Sequence, residues 1–353
     1  MSLQGRLICW FLRRRFLPAT RGPVDVARVR AQTDKRVWLP PVPKGWQLRE
    51  QYRAAGAPDA PGAPPGGEWL VREGGAPRTI LYLHGGGYYF CSPKTHRAIT
   101  FGLATRAEAD LFSLDYRLAP EHPFPAALDD ALAAYRRLLA DGARAQSLVI
   151  AGDSAGGGLA LATLVALRDA GDPLPAGAVL YSPWTDLAVT GASIRENDGR
   201  DPMFCGDVFA RIAPLYLGDA SATDPYASPL YADFHGLPPL FMLAGSTETL
   251  LDDTRRVAER ARAAGVSVEC TIGRDLPHIW PIYAPFMPEA RRALDDSARF
   301  VERVTMADDT ARAQKSAHGQ AEPGPDAPSS AHRAAQSAQS VKSAQSSATS
   351  IPS

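Results

Sequence analysis

Between residues 78 and 304 the chain repeats one pattern: a short apolar run, a Gly- or Pro-bearing break, then a longer helical stretch. The runs fall at 79–84, 111–115, 147–152, 178–182, 240–244 and 266–272. Each is short, rich in Val, Ile and Leu, and bounded by turn-forming residues, which predicts a strand. Strands alternating with helices predict a mostly parallel sheet covered on both faces, an α/β architecture. The spacing breaks between Ser182 and His235, where no strand signal occurs and one helical stretch lies near Asp207–Leu217. An insertion is expected there. Pro40–Gly67 is rich in Pro and Gly and reads as connections around early strands. From residue 307 to 353 Ser, Ala and Gln dominate, with Ser337–Ser340 echoed at Ser343–Ser346. Nothing there can form an apolar face, so an unstructured tail is expected.

One turn in this pattern carries chemistry. Gly152-Asp153-Ser154-Ala155-Gly156 follows the run ending at Ala151 and precedes the apolar stretch Gly157–Leu167. Strand, sharp turn and helix are what lifts a serine Oγ clear of its backbone as a nucleophile. Glycines two residues to either side relieve the crowding of that turn. The other reading, a chance match in a Gly- and Ala-rich chain, does not account for the flanking strand and helix.

A serine hydroxyl needs a base, an acid and a place for the oxyanion. The run 79–84 leads straight into Gly85-Gly86-Gly87, where backbone N–H groups can turn toward a developing negative charge. A phosphate loop would want a Lys followed by Ser or Thr, and Tyr88-Tyr89-Phe90 stands there instead. If the order is Ser, acid, His, the base lies on a late loop. Of seven histidines, His318 and His332 fall in the tail, His84 belongs to the glycine loop, and His96 and His122 precede the serine. His235 sits before a strand, whereas His278 follows one and precedes a helix, so His278 is the expected base. Glu248 is the first carboxylate past the strand Leu240–Ala244 and is the expected acid, with Asp252 as its competitor. Asp252 and Asp253 together are explained by favourable charge in a helix first turn.

Four ordered motifs now stand together: His84–Gly87, the run Asp115–Ala126, Gly152–Gly157 and Gly245–Asp253. With Pro277-His278-Ile279-Trp280, they make residues 40 to 304 resemble the hormone-sensitive-lipase-like esterases (family IV) of the α/β-hydrolase fold. The resemblance implies Ser154 as nucleophile, His278 as base, and the N–H groups of Gly86, Gly87 and Ala155 as the oxyanion hole. It also implies that Tyr116, Arg117 and Glu121 scaffold the glycine loop. Most members carry Asp where this chain has Glu248. In similar esterases the amino-terminal helices form part of a cap, which divides the chain into cap helices (1–45), a catalytic domain (46–306) whose insertion (183–236) completes the cap, and the tail (307–353).

The implied reaction is acyl transfer with no cofactor or metal. Because Tyr88, Tyr89 and Phe90 crowd the glycine loop, uncharged short- to medium-chain esters are the expected substrates, with Tyr88, Tyr89 and Trp184 as substrate-binding residues. A lactone hydrolase or deacetylase would use the same triad. A non-catalytic ligand-binding module of this fold would lose the histidine, which is intact. Composition fits: 45% hydrophobic residues supply a core, and 38 basic against 38 acidic residues give no reason to expect nucleic acid. Four cysteines without metal or disulfide spacing suit a reduced, cytoplasmic setting. Leu7–Leu12 is too short for a signal peptide or a membrane span. Followed by Arg13-Arg14-Arg15, it suits an amphipathic helix in transient contact with a membrane surface, the setting of a lipase on aggregated lipid. A homodimer is the remaining partner consistent with the sequence.

Overall fold

The computed structural model describes residues 1–35, 37–52 and 66–319. The six expected strands form within a few residues of their predicted places: β3 (Arg78–Leu83), β4 (Ala109–Leu114), β5 (Leu148–Asp153), β6 (Gly177–Tyr181), β7 (Leu240–Gly245) and β8 (Val268–Gly273). Two more, β1 (Trp46–Gln51) and β2 (Gly67–Arg72), complete one eight-stranded sheet in the order β1-β2-β4-β3-β5-β6-β7-β8. β2 runs antiparallel to both β1 and β4, and every other pairing is parallel.

Side chains alternate between two cores because strand residues point to opposite faces. Leu81 and Leu83 of β3, Leu148 and Ile150 of β5, and Leu240 and Met242 of β7 enter one core. Helices α4 (Ala126–Ala140), α5 (Ala155–Asp169) and α8 (Leu251–Ala263) cover it. Ile80, Val149, Val179 and Phe241 enter the other, under α3 (Arg97–Ala107) and α9 (Pro288–Gly319). Both faces being covered explains why these strands read as continuous apolar runs. β1, by contrast, is a half-exposed edge strand of sequence Trp-Gln-Leu-Arg-Glu-Gln.

Two segments outside the sheet meet each other. Helix α1 (Leu3–Arg15) and the short turns after it contact the chain between β6 and β7, which holds α6 (Ser193–Glu196) and α7 (Val208–Leu217). Arg13 donates to the Gly199 carbonyl (3.0 Å), and Arg211 donates to that of Thr20 (2.6 Å). Helix α2 (Val26–Lys35) is held by Arg30, whose guanidinium donates to the Tyr89 and Ala119 carbonyls and pairs with both Glu121 oxygens, all at 2.8 Å.

Met1–Ala311 form one compact unit. Residues 307–319, expected as the start of an unstructured tail, are helical as the end of α9. Ala, Arg, Gln and Lys there are good helix formers. The rest of the expected tail, 320–353, lies outside the described residues.

Candidate active site

β5 is buried along its whole length and delivers Ser154 at the start of α5. Ser154 adopts φ 53°, ψ −123°, a left-handed conformation costly for any residue with a Cβ. Neighbouring backbone holds it there: its N–H donates to the Tyr181 carbonyl (2.8 Å), and its carbonyl accepts from Trp184 N–H (2.9 Å). The turn also needs bare backbone beside it. A Cβ on Gly156 would lie 2.0 Å from the Leu83 carbonyl oxygen, and one on Gly86 (φ 115°) 2.1 Å from that of Phe90.

The loops after β7 and β8 bring Glu248 and His278 together, although 30 residues separate them. His278 Nδ1 and Glu248 Oε2 are 2.8 Å apart, and the two residues are 1% and 0% exposed. Burial pulls the imidazole pKa down, but the charge and hydrogen bond of Glu248 outweigh it, leaving the value above 6.5. Glu248 Oε1 accepts from Ser182 Oγ (2.8 Å) and from the Gly245 N–H. Ser182 Oγ in turn accepts the Ile279 N–H (3.1 Å), so one hydroxyl ties the acid to the histidine loop. Among the described residues, His278 Nε2 is buried and without a hydrogen-bond partner. An imidazole held on one nitrogen by a carboxylate, with the other free, can take and return a proton.

The insertion supplies a further clasp. Asn197 Nδ2 donates to the Glu248 carbonyl (2.8 Å), and Asp201 accepts from the Thr249 N–H (2.8 Å) and hydroxyl (3.0 Å). Phe204 stands edge-on to the His278 ring at 5.1 Å and edge-on to Phe16 at 5.7 Å. Sequence patterning found none of Ser182, Asn197, Asp201 and Phe204. Ser182 had one available signal, a hydroxyl at the carboxyl end of a central strand.

The competing residues are placed elsewhere. His235 is exposed and pairs with Asp233 (2.6 Å). Asp252 accepts the Ser193 N–H (2.9 Å). Asp253 stands in the first turn of α8, as expected, and is buried, accepting the Thr185 and Asp186 N–H groups (2.7 and 2.9 Å) and pairing with Arg256. Burial pushes its carboxyl up to about 7. His84 stacks on Tyr116 (4.3 Å), and burial lowers its pKa to about 3. Tyr88 stacks on Tyr216 (3.7 Å), and Trp184 meets Tyr88 and Phe209. Tyr89 lies beside Gly87.

The family described as alpha/beta hydrolase fold matches residues 80–282. An acetyl-hydrolase of Streptomyces hygroscopicus is 44% identical over 255 residues, 69% of this chain and 85% of that protein. An esterase of Acinetobacter venetianus is 37% identical over 241 residues, 68% of this chain and 80% of its own. Among solved structures, the esterase EstE5 soaked with p-nitrophenyl butyrate superposes with a TM-score of 0.78 at 38% identity, covering 87% of this chain and all of that one. An esterase from the bacterial hormone-sensitive lipase family gives 0.78 at 39% identity, covering 86% and 99%.

Proposed function

The chain belongs to the hormone-sensitive-lipase-like esterases of the alpha/beta hydrolase fold, and from that premise we propose that Ser154, His278 and Glu248 hydrolyse short-acyl esters through an acyl-enzyme. The buried His278–Glu248 pair with its free Nε2 carries the reading. His278 Nε2 takes the Ser154 hydroxyl proton as Oγ attacks the ester carbonyl, while Glu248 steadies the imidazolium on the opposite nitrogen. The tetrahedral oxyanion is received by the N–H groups of Gly86, Gly87 and Ala155. Among the described residues neither glycine N–H has an acceptor, and Ala155 heads α5, where N–H groups have no intrahelical partner. The proton then goes to the departing alcohol, and a water, deprotonated by His278, cleaves the acyl-enzyme.

The acyl group is proposed to lie among Tyr88, Tyr89 and Trp184, with Phe204 on the imidazole side. Low exposure of these rings is no objection, because Ser154 and His278 are themselves 8% and 1% exposed. The 44% identical relative is named an acetyl-hydrolase, which favours the short end of the acyl range, acetyl esters first. The amino-terminal segment and the 183–236 insertion are proposed as one cap, on the strength of the Arg13, Arg211 and Phe16–Phe204 contacts. Ser154→Ala is expected to fold normally and lose at least about three orders of magnitude in kcat on p-nitrophenyl acetate and butyrate. A fluorophosphonate probe should label Ser154 alone. Labelling of the Ala variant, or turnover that peaks on long acyl chains, refutes the nucleophile or the substrate class respectively.

A further inference from the structure

Helix α1 is docked along one side and bare along the other. Gly5 and Leu12 are buried, and Ile8 and Cys9 partly so. Opposite them Leu3, Leu7, Trp10 and Phe11 are 69%, 59%, 56% and 56% exposed. At about 100° per residue, the spacing i, i+4, i+7, i+8 sets these four on one stripe, about 12 Å long. A lone exposed leucine is ordinary, but a contiguous stripe with two aromatic rings marks a surface that something covers.

Charge says what covers it. Arg6, Arg14 and Arg15 are exposed, and among the described residues none of them pairs with a carboxylate. The chain has no Asp or Glu before Asp25. The Arg14 guanidinium lies over the Trp10 ring, 5.1 Å from its centre, so cation and apolar stripe share one surface. The carboxylate bonded at the start of α1, Glu289, is already engaged by the Ser2 hydroxyl (2.7 Å). A second copy docked by the same stripe would bring arginine against arginine. An anionic bilayer offers phosphates to the arginines and a headgroup–acyl boundary to Trp10, Phe11 and the leucines. Among the described residues no helix is long and apolar enough to cross a membrane, so such contact stays at the surface.

We infer that the bare face of α1 docks reversibly on anionic lipid surfaces, inserting Leu3, Leu7, Trp10 and Phe11 and setting Arg6, Arg14 and Arg15 on lipid phosphates. Phe16, just past α1, leads through Phe204 to His278, so a membrane held by α1 adjoins the proposed cap. Docking requires no ester hydrolysis and is testable apart from it.

The test is co-sedimentation of the full chain carrying Ser154→Ala with phosphatidylglycerol or phosphatidylcholine vesicles. Binding to phosphatidylglycerol is expected at least tenfold tighter than to phosphatidylcholine, weakening as salt is raised. Leu7→Glu with Phe11→Glu should abolish it, and Arg14→Glu with Arg15→Glu should weaken it at least tenfold, both at unchanged thermal midpoint. Absence of binding to phosphatidylglycerol overturns the inference, as does binding indifferent to these substitutions. So does a homodimer in light scattering that Leu7→Glu with Phe11→Glu dissociates, which would give the face to a second copy.

Discussion

Two buried imidazole–carboxylate pairs lie among the described residues, and they differ in one atom. His278 meets Glu248 at 2.8 Å and His96 meets Asp153 at 3.2 Å; all four side chains are almost wholly buried. In both, burial lowers the imidazole pKa and the carboxylate more than restores it. His96, however, spends both nitrogens, Nε2 on Asp153 and Nδ1 on the Thr95 hydroxyl (2.8 Å). Asp153 likewise accepts from the Tyr82 hydroxyl (2.7 Å) and the Gly85 N–H (3.1 Å), so this pair anchors the glycine loop. Among the described residues, His278 alone keeps Nε2 free beside a carboxylate. A free nitrogen is not sufficient by itself: His84 Nε2 is also unpartnered, but its Nδ1 faces the Gly85 carbonyl instead of a carboxylate. Burial and a shifted pKa mark both pairs; in the proposed mechanism the unspent nitrogen separates proton transfer from scaffolding.

The largest effect should come from exchanging the two histidines' fates. His278→Ala is expected to cost about four or more orders of magnitude in kcat with little change in thermal midpoint. His96→Ala should do the reverse. It leaves the Asp153 carboxylate buried without its imidazole, a loss of about 3–5 kcal/mol in stability, while the surviving folded enzyme keeps kcat within about tenfold. Equal kcat losses for the two would erase the distinction.

The carboxylate side of the proposed catalytic pair sharpens it next. Glu248→Gln should lower kcat by roughly three to four orders of magnitude, because an amide favours the wrong tautomer and cannot steady imidazolium. Ser182→Ala removes a charged-group hydrogen bond and the acceptor of Ile279 N–H. A kcat loss of about ten- to a hundredfold at constant KM is expected. With one donor gone, Glu248 holds imidazolium more strongly, so the inflection of the pH profile should move upward. An unchanged profile would reduce Ser182 to packing.

Ser182 also shows where sequence stops being informative. Ser154, Glu248 and His278, the proposed nucleophile, acid and base, each follow a strongly apolar run, so their places past strand ends were legible from periodicity and turn residues. Asn197, Asp201 and Ser182 act across gaps of some 50 to 100 residues, by hydrogen bonds that leave no periodic trace. β1 escaped for a related reason: as an antiparallel edge, it alternates apolar with polar residues and never forms a continuous run. Asp253 sits in the first turn of α8 as its sequence signature said, but that signature is the same whether the carboxylate faces water or, as here, the backbone of a neighbouring loop.

The pH profile tests the electrostatics of the proposed catalytic pair with a smaller signal. His278 must be neutral to accept a proton, and its pKa lies above 6.5, so turnover should rise with pH through an inflection above that value. Stability runs the other way. A histidine whose folded pKa is raised contributes in full below its unfolded value, and that contribution fades as pH climbs through the folded one. Between these two values the enzyme should gain turnover while losing thermal midpoint. An inflection below 6.5 would mean that burial, not Glu248, governs the ring.

The smallest effect belongs to a third pair, which tests whether contact geometry alone has meaning. His235 Nδ1 lies 2.6 Å from Asp233, closer than either buried pair, but the side chains are 74% and 66% exposed. Water screens the attraction, and holding two mobile side chains in register offsets what remains, so exposed pairs contribute little. His235 also stands before β7, on no loop that reaches Ser154 in the proposed mechanism. His235→Ala is therefore expected to leave kcat/KM within about twofold of wild type and the thermal midpoint unmoved. A steep loss of kcat would return the base role to His235 and take it from His278. A loss of stability alone would mean instead that the loop before β7 depends on this contact, and that exposure is a poorer guide than distance.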